Sequence, residues 1–201
     1  MRNDPAGVAR AARGASLNQQ AIDRTTVLVF ALRQLEKHPG TPDVLRALLD
    51  AGADPNAPGD TLPLQTAIYA TTTTGMEPLT MLLKAGANPN QTNGFGEPAY
   101  FAATGHSVAP EVMELLIGHG ADLTARARDG NSALFRAAAT ENWKTALVLL
   151  RRGVDWRQAG RPGGPGFQRM VEQSAGFMAQ GKKWDAEGLA EVQRFLAQPG
   201  R

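Results

Sequence analysis

Three histidines and a row of repeated acidic or amide residues are the side chains of this 201-residue chain that could carry chemistry. His38, His106 and His119 lie among turn-forming residues, and none has a carboxylate or a second histidine at the spacing of a metal site. The acidic and amide residues are Asp54, Asn88, Asp122 and Asp155. Paired carboxylates would suit general acid and base catalysis, but these four return with a fixed period. That period indicates that they brace turns through local hydrogen bonds.

Other motifs of catalysis are absent from the sequence. There is no G-x-S-x-G elbow, no Walker-type glycine loop and no H-E-x-x-H pair. Cysteine is absent, which excludes disulfides and thiolate chemistry. We therefore expect a protein that is not an enzyme, with no catalytic residue, no cofactor and no bound metal.

Composition narrows the classes of partner. The formal net charge is +2, whereas nucleic-acid-binding domains usually carry a dense stripe of Lys and Arg. No stretch approaches the roughly 20 consecutive apolar residues of a membrane span. We expect no nucleic-acid partner, no membrane span and a monomer when the chain is free. The absence of cysteine fits cytoplasm and periplasm equally.

One sequence motif, here called the repeated phrase, recurs four times, and the elements that it forms must position these side chains. It reads LLDAGADPN at 48–56, LLKAGANPN at 82–90, LLIGHGADLT at 115–124 and LLRRGVDWR at 149–157. The central glycines of successive phrases are 34, 34 and 33 residues apart. A period in this range is typical of a solenoid, in which each unit buries its apolar face against its neighbours.

The phrase predicts the end of a helix followed by an exit turn. Its leucines suit the buried face of the last helical turns, and its glycine suits a residue that leaves the helix with positive φ. A second phrase then opens another helix, at 26–31, 62–67, 97–102 and 132–137. Pro63 and Pro98 in these phrases suit a first helical turn.

The two phrases together resemble the ankyrin repeat family, whose pattern is G-x-T-P-L-H-x-A-A, a short turn, then V-x-x-L-L-x-x-G-A-D. The resemblance covers residues 14–157 and is closest in the fourth unit, with SALFRAAA at 132–139 and ALVLLRRGVD at 146–155. It implies an all-α solenoid of stacked helix-turn-helix units with finger-like loops. The histidine that the family places after P-L is replaced here by Val29, Gln65, Tyr100 and Phe135.

The turn between the two helices varies in length. The exit glycine lies 21, 19, 18 and 16 positions after the alanine of the first helix in successive units; these alanines are Ala31, Ala67, Ala102 and Ala137. The added residues are EKHPGTPD, TTTTG and GHSVAP. They either form an edge used for contacts or reflect neutral drift, since surface loops tolerate added length.

The expected organisation is one structural domain. Residues 1–157 would hold a half unit at 5–18 and four units that end near 56, 90, 124 and 157. Residues 158–201 would form a two-helix C-terminal cap. The helix-breaking segment AGRPGGPG at 159–166 would precede the first of these helices, and Asp185 would be the N-cap of the second. Because the chain starts in mid-repeat, we expect residues upstream of Asp4 in the natural protein, and then a periplasmic location; otherwise the location would be cytoplasmic.

Aromatic and charged residues are assigned to core or surface by their place in the repeat. Trp143, Trp156, Phe30 and Phe101 are expected to be buried, whereas Phe95, at a glycine-flanked tip, would anchor a partner or fold back. The resemblance implies a concave face and fingers that contact another protein. The residues expected to make that contact are Asp23, Arg33, Gln34, Thr61, Tyr69, Asn93, Phe95, Arg126, Arg128, Asn131, Arg136 and Thr140.

The function that the resemblance implies is non-catalytic protein binding. Its most specific form is a bacterial inhibitor or immunity protein that blocks a toxic secreted enzyme. A second form is an adaptor or stress-associated periplasmic scaffold. A remote alternative is an enzyme with a site near the C-terminal helices.

Overall fold

The computed structural model describes residues 4–12, 17–18, 24–164, 166–179 and 185–198. Within them the helices are α1 (Pro5–Ala12), α2 (Val27–Lys37), α3 (Asp43–Asp50), α4 (Pro63–Thr74), α5 (Glu77–Lys84), α6 (Pro110–Gly118), α7 (Ala133–Ala139), α8 (Trp143–Arg151), α9 (Phe167–Ala179) and α10 (Ala186–Leu196). Short 3₁₀ helices occupy Ala99–Thr104 and Trp156–Gln158. These described residues contain no β-strand, only two isolated β-bridges. The predicted all-α class is confirmed.

The chain divides into two compact units, Met1–Tyr100 and Phe101–Arg201. In the first unit, α2 packs against α3 and α4, α5 packs against α4 and α3, and α1 packs against α3. Leu28, Leu32, Ile68, Leu79 and Leu82 are almost fully buried there. Burial of such side chains contributes about 1.5–3 kcal/mol each to folding.

In the second unit, α8 packs against α6, α7 and α10, and α9 packs against α7 and α10. The two predicted C-terminal helices are therefore present and lie against the last helix pair. As predicted, Asp185 caps α10, since its Oδ1 accepts a hydrogen bond from the backbone N–H of Gly188 at 3.2 Å. The proposed division of the chain at residue 157 stays a prediction.

The exit turns follow the predicted geometry. Gly52, Gly86, Gly120 and Gly153 have φ between +84° and +91°. At Gly86, the N–H bonds the carbonyl of Leu83 at 3.1 Å, and the N–H of Ala87 bonds that of Leu82 at 2.9 Å. Such paired bonds satisfy carbonyls that the ending helix leaves without partners.

The repeated acidic and amide residues brace these turns, as predicted. Asp54, Asn88, Asp122 and Asp155 each accept, through Oδ1, a hydrogen bond from the backbone N–H two residues later, at 2.8–3.0 Å. Hydrogen bonds from the hydroxyl and the backbone of Thr124 lower the pKa of Asp122. Their shared role is structural, because each shapes its own turn.

We expect Gly86→Ala to lower the free energy of unfolding by about 1–2 kcal/mol, because a Cβ strains a left-handed backbone. A Cβ there would meet open space, so crowding adds nothing. Gly118→Ala is the control, since Gly118 ends α6 without positive φ and also faces open space. It should be neutral or stabilising by up to about 1 kcal/mol. Equal effects in urea denaturation would show that positive φ is not the cause.

The helix predicted at 97–102 differs from expectation, because Ala99–Thr104 is a 3₁₀ helix. The N–H groups of Ala99 and Tyr100 donate to the carbonyls of Gln91 and Pro89, at 2.8 and 3.0 Å. The first N–H groups of this segment thus bond the preceding loop, and the segment itself forms a short 3₁₀ helix.

Candidate functional site

Large aromatic side chains are exposed on the first unit. Phe30 on α2 is 46% exposed, Tyr69 on α4 is 52% exposed, and Phe95, in the loop after α5, is 68% exposed. The prediction that Phe30 is buried is wrong, because Leu28, Val29 and Leu32 fill the buried positions of α2. Phe101 and Trp143 are buried as predicted, and Trp156 is half-buried. We call Phe30, Tyr69 and Phe95 the aromatic set.

Polar residues expected at the contact surface lie on or just before the helices that carry Phe30 and Tyr69. Arg33 is exposed on α2, three residues after Phe30, so the two share a helix face. Gln34 on α2 and Thr61, just before α4, are half-buried. Asp23 lies outside the described residues.

The loop at residues 91–98, called the 91–98 finger, presents Phe95 on a fixed backbone. The Oδ1 of Asn93 accepts hydrogen bonds from the N–H groups of Phe95 and Glu97, at 2.9 and 3.0 Å. Its Nδ2 donates to Oε1 of buried Gln65 at 3.4 Å. The amide of Asn93 is therefore used inside the finger, and it positions Phe95.

The loop at residues 126–132, called the 126–132 finger, belongs to the second unit. Arg126 is exposed, but its Nη1 donates to the carbonyl of Gly130 at 2.9 Å and its Nη2 donates to the carbonyl of Gln158. Asn131 is only 9% exposed. The expectation that Asn131 is exposed is wrong, because its Nδ2 donates to Asp129 and its Oδ1 accepts from the N–H of Arg161, both at 3.0 Å.

Arg136 and Thr140 on and after α7 are also engaged within the second unit. Arg136 pairs with Asp129 at 3.3 Å. The backbone N–H of Asn131 is the largest cause that lowers the pKa of Asp129, and the charge of Arg136 adds to it. The hydroxyl of Thr140 lies within hydrogen-bond distance of the carbonyls of Thr104, Arg136 and Ala137. Both side chains have internal partners that sequence reasoning missed.

A sequence model described as ankyrin repeats (3 copies) matches residues 64–159. This part of the chain belongs to the ankyrin repeat family. No curated protein matches the chain. The resemblance drawn from the repeated phrases is thereby confirmed.

Ankyrin repeats indicate a protein–protein interaction module. Neighbouring exit turns are joined through the side-chain amides of asparagines that follow the exit glycines. The Oδ1 atoms of Asn18 and Asn56 accept from the N–H groups of Asp54 and Asn88, both at 2.7 Å. The Nδ2 of Asn56 also donates to the carbonyl of Gly86 at 2.9 Å. The signal that was available is the recurrence of asparagine two residues after Asp54 and Asn88.

Charged residues line an open groove of about 300 Å³ between α6, α8 and α10. Lys144 pairs with Glu187, and Arg151 pairs with Glu191, both at 3.1 Å. The hydrogen bond that Lys144 donates to Glu187 raises the pKa of this lysine above its usual range. A lysine held in its charged form is not suited to act as a general base near neutral pH. The groove gives no support to the remote enzyme alternative.

The described part of the chain contains no group of three or more His, Asp or Glu residues that could hold a metal ion. None of its helices is long and apolar enough to cross a membrane.

Proposed function

We propose that this ankyrin chain is a non-catalytic binding module that recognises another protein through the aromatic set and through Arg33 on the same helix face as Phe30. The observation that carries the proposal is the exposure of Phe30, Tyr69 and Phe95, which ranges from 46% to 68%. Aromatic side chains are over-represented among the residues that dominate binding energies. Their burial by a partner would remove apolar area from water.

Two features of the first unit favour tight binding over a loose contact. The backbone of Phe95 is fixed by Asn93, and Tyr69 stands on α4, which packs against α2 and α5. Side chains carried on an ordered backbone lose less conformational entropy on binding. The exposed guanidinium of Arg33 adds a group that can bond a carboxylate with two parallel hydrogen bonds.

The specific role that we propose is that of a bacterial inhibitor or immunity protein that blocks a toxic secreted enzyme. Inhibition of this kind requires occlusion of an active site and no chemistry from the inhibitor. Projecting aromatic and arginine side chains on ordered helices and loops suit occlusion, because they can enter a cleft of the target. The residues proposed for this contact are Arg33, Tyr69 and Phe95, with Phe30 added from the structure.

The test begins with capture of partners by the tagged chain from a lysate of the source organism. A purified partner is then titrated into the wild-type chain and into Tyr69→Ala and Phe95→Ala variants by calorimetry. We expect each variant to weaken binding by about 1–2 kcal/mol, about 5- to 30-fold in Kd. The proposed inhibitory role further requires that a stoichiometric amount of the chain suppress an enzymatic activity of the partner.

Phe177→Ala is the matched control, because Phe177 lies on α9 of the second unit and is 48% exposed. It should leave the Kd unchanged. Equal losses from Phe177→Ala and Phe95→Ala would overturn the proposed surface. A partner that is bound through the aromatic set but keeps its full activity would instead identify an adaptor or scaffold.

A further inference from the structure

The 126–132 finger and the segment that follows the last repeat are fixed to each other. The N–H of Ser132 donates to the carbonyl of Ala159 at 3.0 Å. The buried Asn131 accepts from the N–H of Arg161 at 3.0 Å, and Arg126 bonds the carbonyl of Gln158. Three hydrogen bonds thus hold the turn at 126–132 against residues 158–161.

The turn itself is closed by its own backbone. The N–H of Ala127 donates to the carbonyl of Asn131 at 3.0 Å, and that of Gly130 donates to Ala127 at 2.8 Å. Gly130 has φ +82°, and a Cβ added there would lie 3.3 Å from Cβ of Arg161. The side chain of Arg161 therefore begins directly beside the turn that carries Arg128.

Arg128 and Arg161 are exposed, and no other described residue bonds or pairs with either guanidinium. The carboxylates nearest in sequence are already engaged. Asp129 accepts from Asn131 and pairs with Arg136, and Asp155 pairs with Arg157 at 3.9 Å. Among the described residues, Arg128 in the finger and Arg161 beside it thus present two guanidinium groups without a bonding partner, both on an ordered backbone.

We propose that Arg128 and Arg161 form one carboxylate-recognition pair that binds an acidic segment of a partner protein. A guanidinium matches a carboxylate with two parallel hydrogen bonds, which gives directional recognition. Arg126 is not part of this pair, because its guanidinium bonds the carbonyls of Gly130 and Gln158 and so holds the finger. The proposal rests on the proposed function and names the chemistry of a further contact with a partner, made by the second unit alone.

An acidic protein fits this pair better than a nucleic acid. Binding to DNA draws on many phosphate contacts and on release of the corresponding counterions, whereas two guanidinium groups are available here.

The test uses the full chain and a decaglutamate peptide as the acidic probe at low salt. We expect the side-chain Nε–H signals of Arg128 and Arg161 to shift in NMR titration, and that of Arg151, whose guanidinium already pairs with Glu191, to stay in place. The double variant Arg128→Gln/Arg161→Gln should bind decaglutamate about three- to tenfold more weakly, with an unchanged melting temperature. The double variant Arg128→Lys/Arg161→Lys should fall between the two, because the charge remains and the fork is lost.

A control variant tests whether the effect is specific to this pair. Arg151→Gln should leave decaglutamate binding unchanged, because the guanidinium of Arg151 already pairs with Glu191 at 3.1 Å. Shifts spread equally over many arginines, or tighter binding of a ten-nucleotide oligothymidylate than of decaglutamate, would overturn the inference. Either outcome would leave the proposed function standing if Phe95→Ala still weakened partner capture, because the aromatic set belongs to the other unit.

Discussion

Trp143→Ala is expected to lower the free energy of unfolding by about 3–5 kcal/mol, the range for removal of a large aromatic from a packed core. Trp143 has no solvent exposure and begins α8. Its ring meets that of Phe167 on α9 edge to face, with 6.3 Å between centroids and 66° between planes. The substitution would open a cavity between the last repeat and the first C-terminal helix. Chemical denaturation followed by circular dichroism measures the loss.

Trp143→Phe is the matched control. The indole Nε1 of Trp143 is buried and has no acceptor among the described residues, so a phenyl ring removes an uncompensated polar group along with some volume. The two effects oppose each other, and we expect a loss of less than about 1.5 kcal/mol. A loss as large as that of Trp143→Ala would show that Nε1 has a partner in solution.

The contact between Trp143 and Phe167 can be measured separately. In a double-mutant cycle with Trp143→Ala and Phe167→Ala, the coupling energy should be about 0.5–1.5 kcal/mol, as for other edge-to-face aromatic pairs. Phe167 is 1% exposed. A coupling near zero would mean that the two rings contribute by burial alone.

The repeat period predicted the parts of the fold that depend on residues close in sequence. Gly86 adopts positive φ where the exit turn required it, and Asp185 caps α10. Both features need only a glycine or a short carboxylate at one position, together with a local hydrogen bond. Local requirements of this kind leave a direct mark on the sequence.

The candidate site was less predictable, because exposure depends on which neighbours arrive from other elements. Phe30 was assigned to the core, yet the apolar positions of α2 were already filled. Arg126 and Asn131 were assigned to the surface, yet their polar atoms bond residues about 30 positions later. A polar residue in a loop has the same appearance in the sequence whether it meets water or a distant carbonyl.

The lengthened turn of the third unit shows the same limit. Its residues GHSVAP suggested either an edge for contacts or neutral drift. In the structure, a residue of the fourth repeat holds this turn. The Nδ2 of Asn142 donates to the carbonyls of Gly105 and Val108, at 2.8 and 2.9 Å. Nδ1 of His106 lies 3.1 Å from the carbonyl of Thr140. The added residues of the third repeat are thus hydrogen-bonded to the fourth repeat.

Asn142→Ala is therefore expected to lower the free energy of unfolding by about 2–4 kcal/mol. Asn142 is 4% exposed and caps α8 by accepting from the N–H of Thr145 at 3.2 Å. Alanine would remove the cap, worth about 1 kcal/mol, and would take the amide donor away from the carbonyl of Val108, which costs about 1–3 kcal/mol. The carbonyl of Gly105 still accepts from the N–H of Val108 at 3.0 Å. Urea denaturation gives the loss, and amide exchange at 105–110 reports the turn directly.

Two variants separate the cap from the brace. Asn142→Ser keeps an oxygen that can accept from the N–H of Thr145 but is too short to reach Gly105 and Val108, so it should recover about 1 kcal/mol and leave exchange at 105–110 fast. Ser132→Ala removes a cap alone, since Oγ of Ser132 accepts from the N–H of Phe135 at 3.3 Å. It should cost about 1 kcal/mol and leave exchange in the turn slow. If Asn142→Ala costs no more than Ser132→Ala, the amide does not hold the turn, and the lengthened residues are again available as a mobile contact edge.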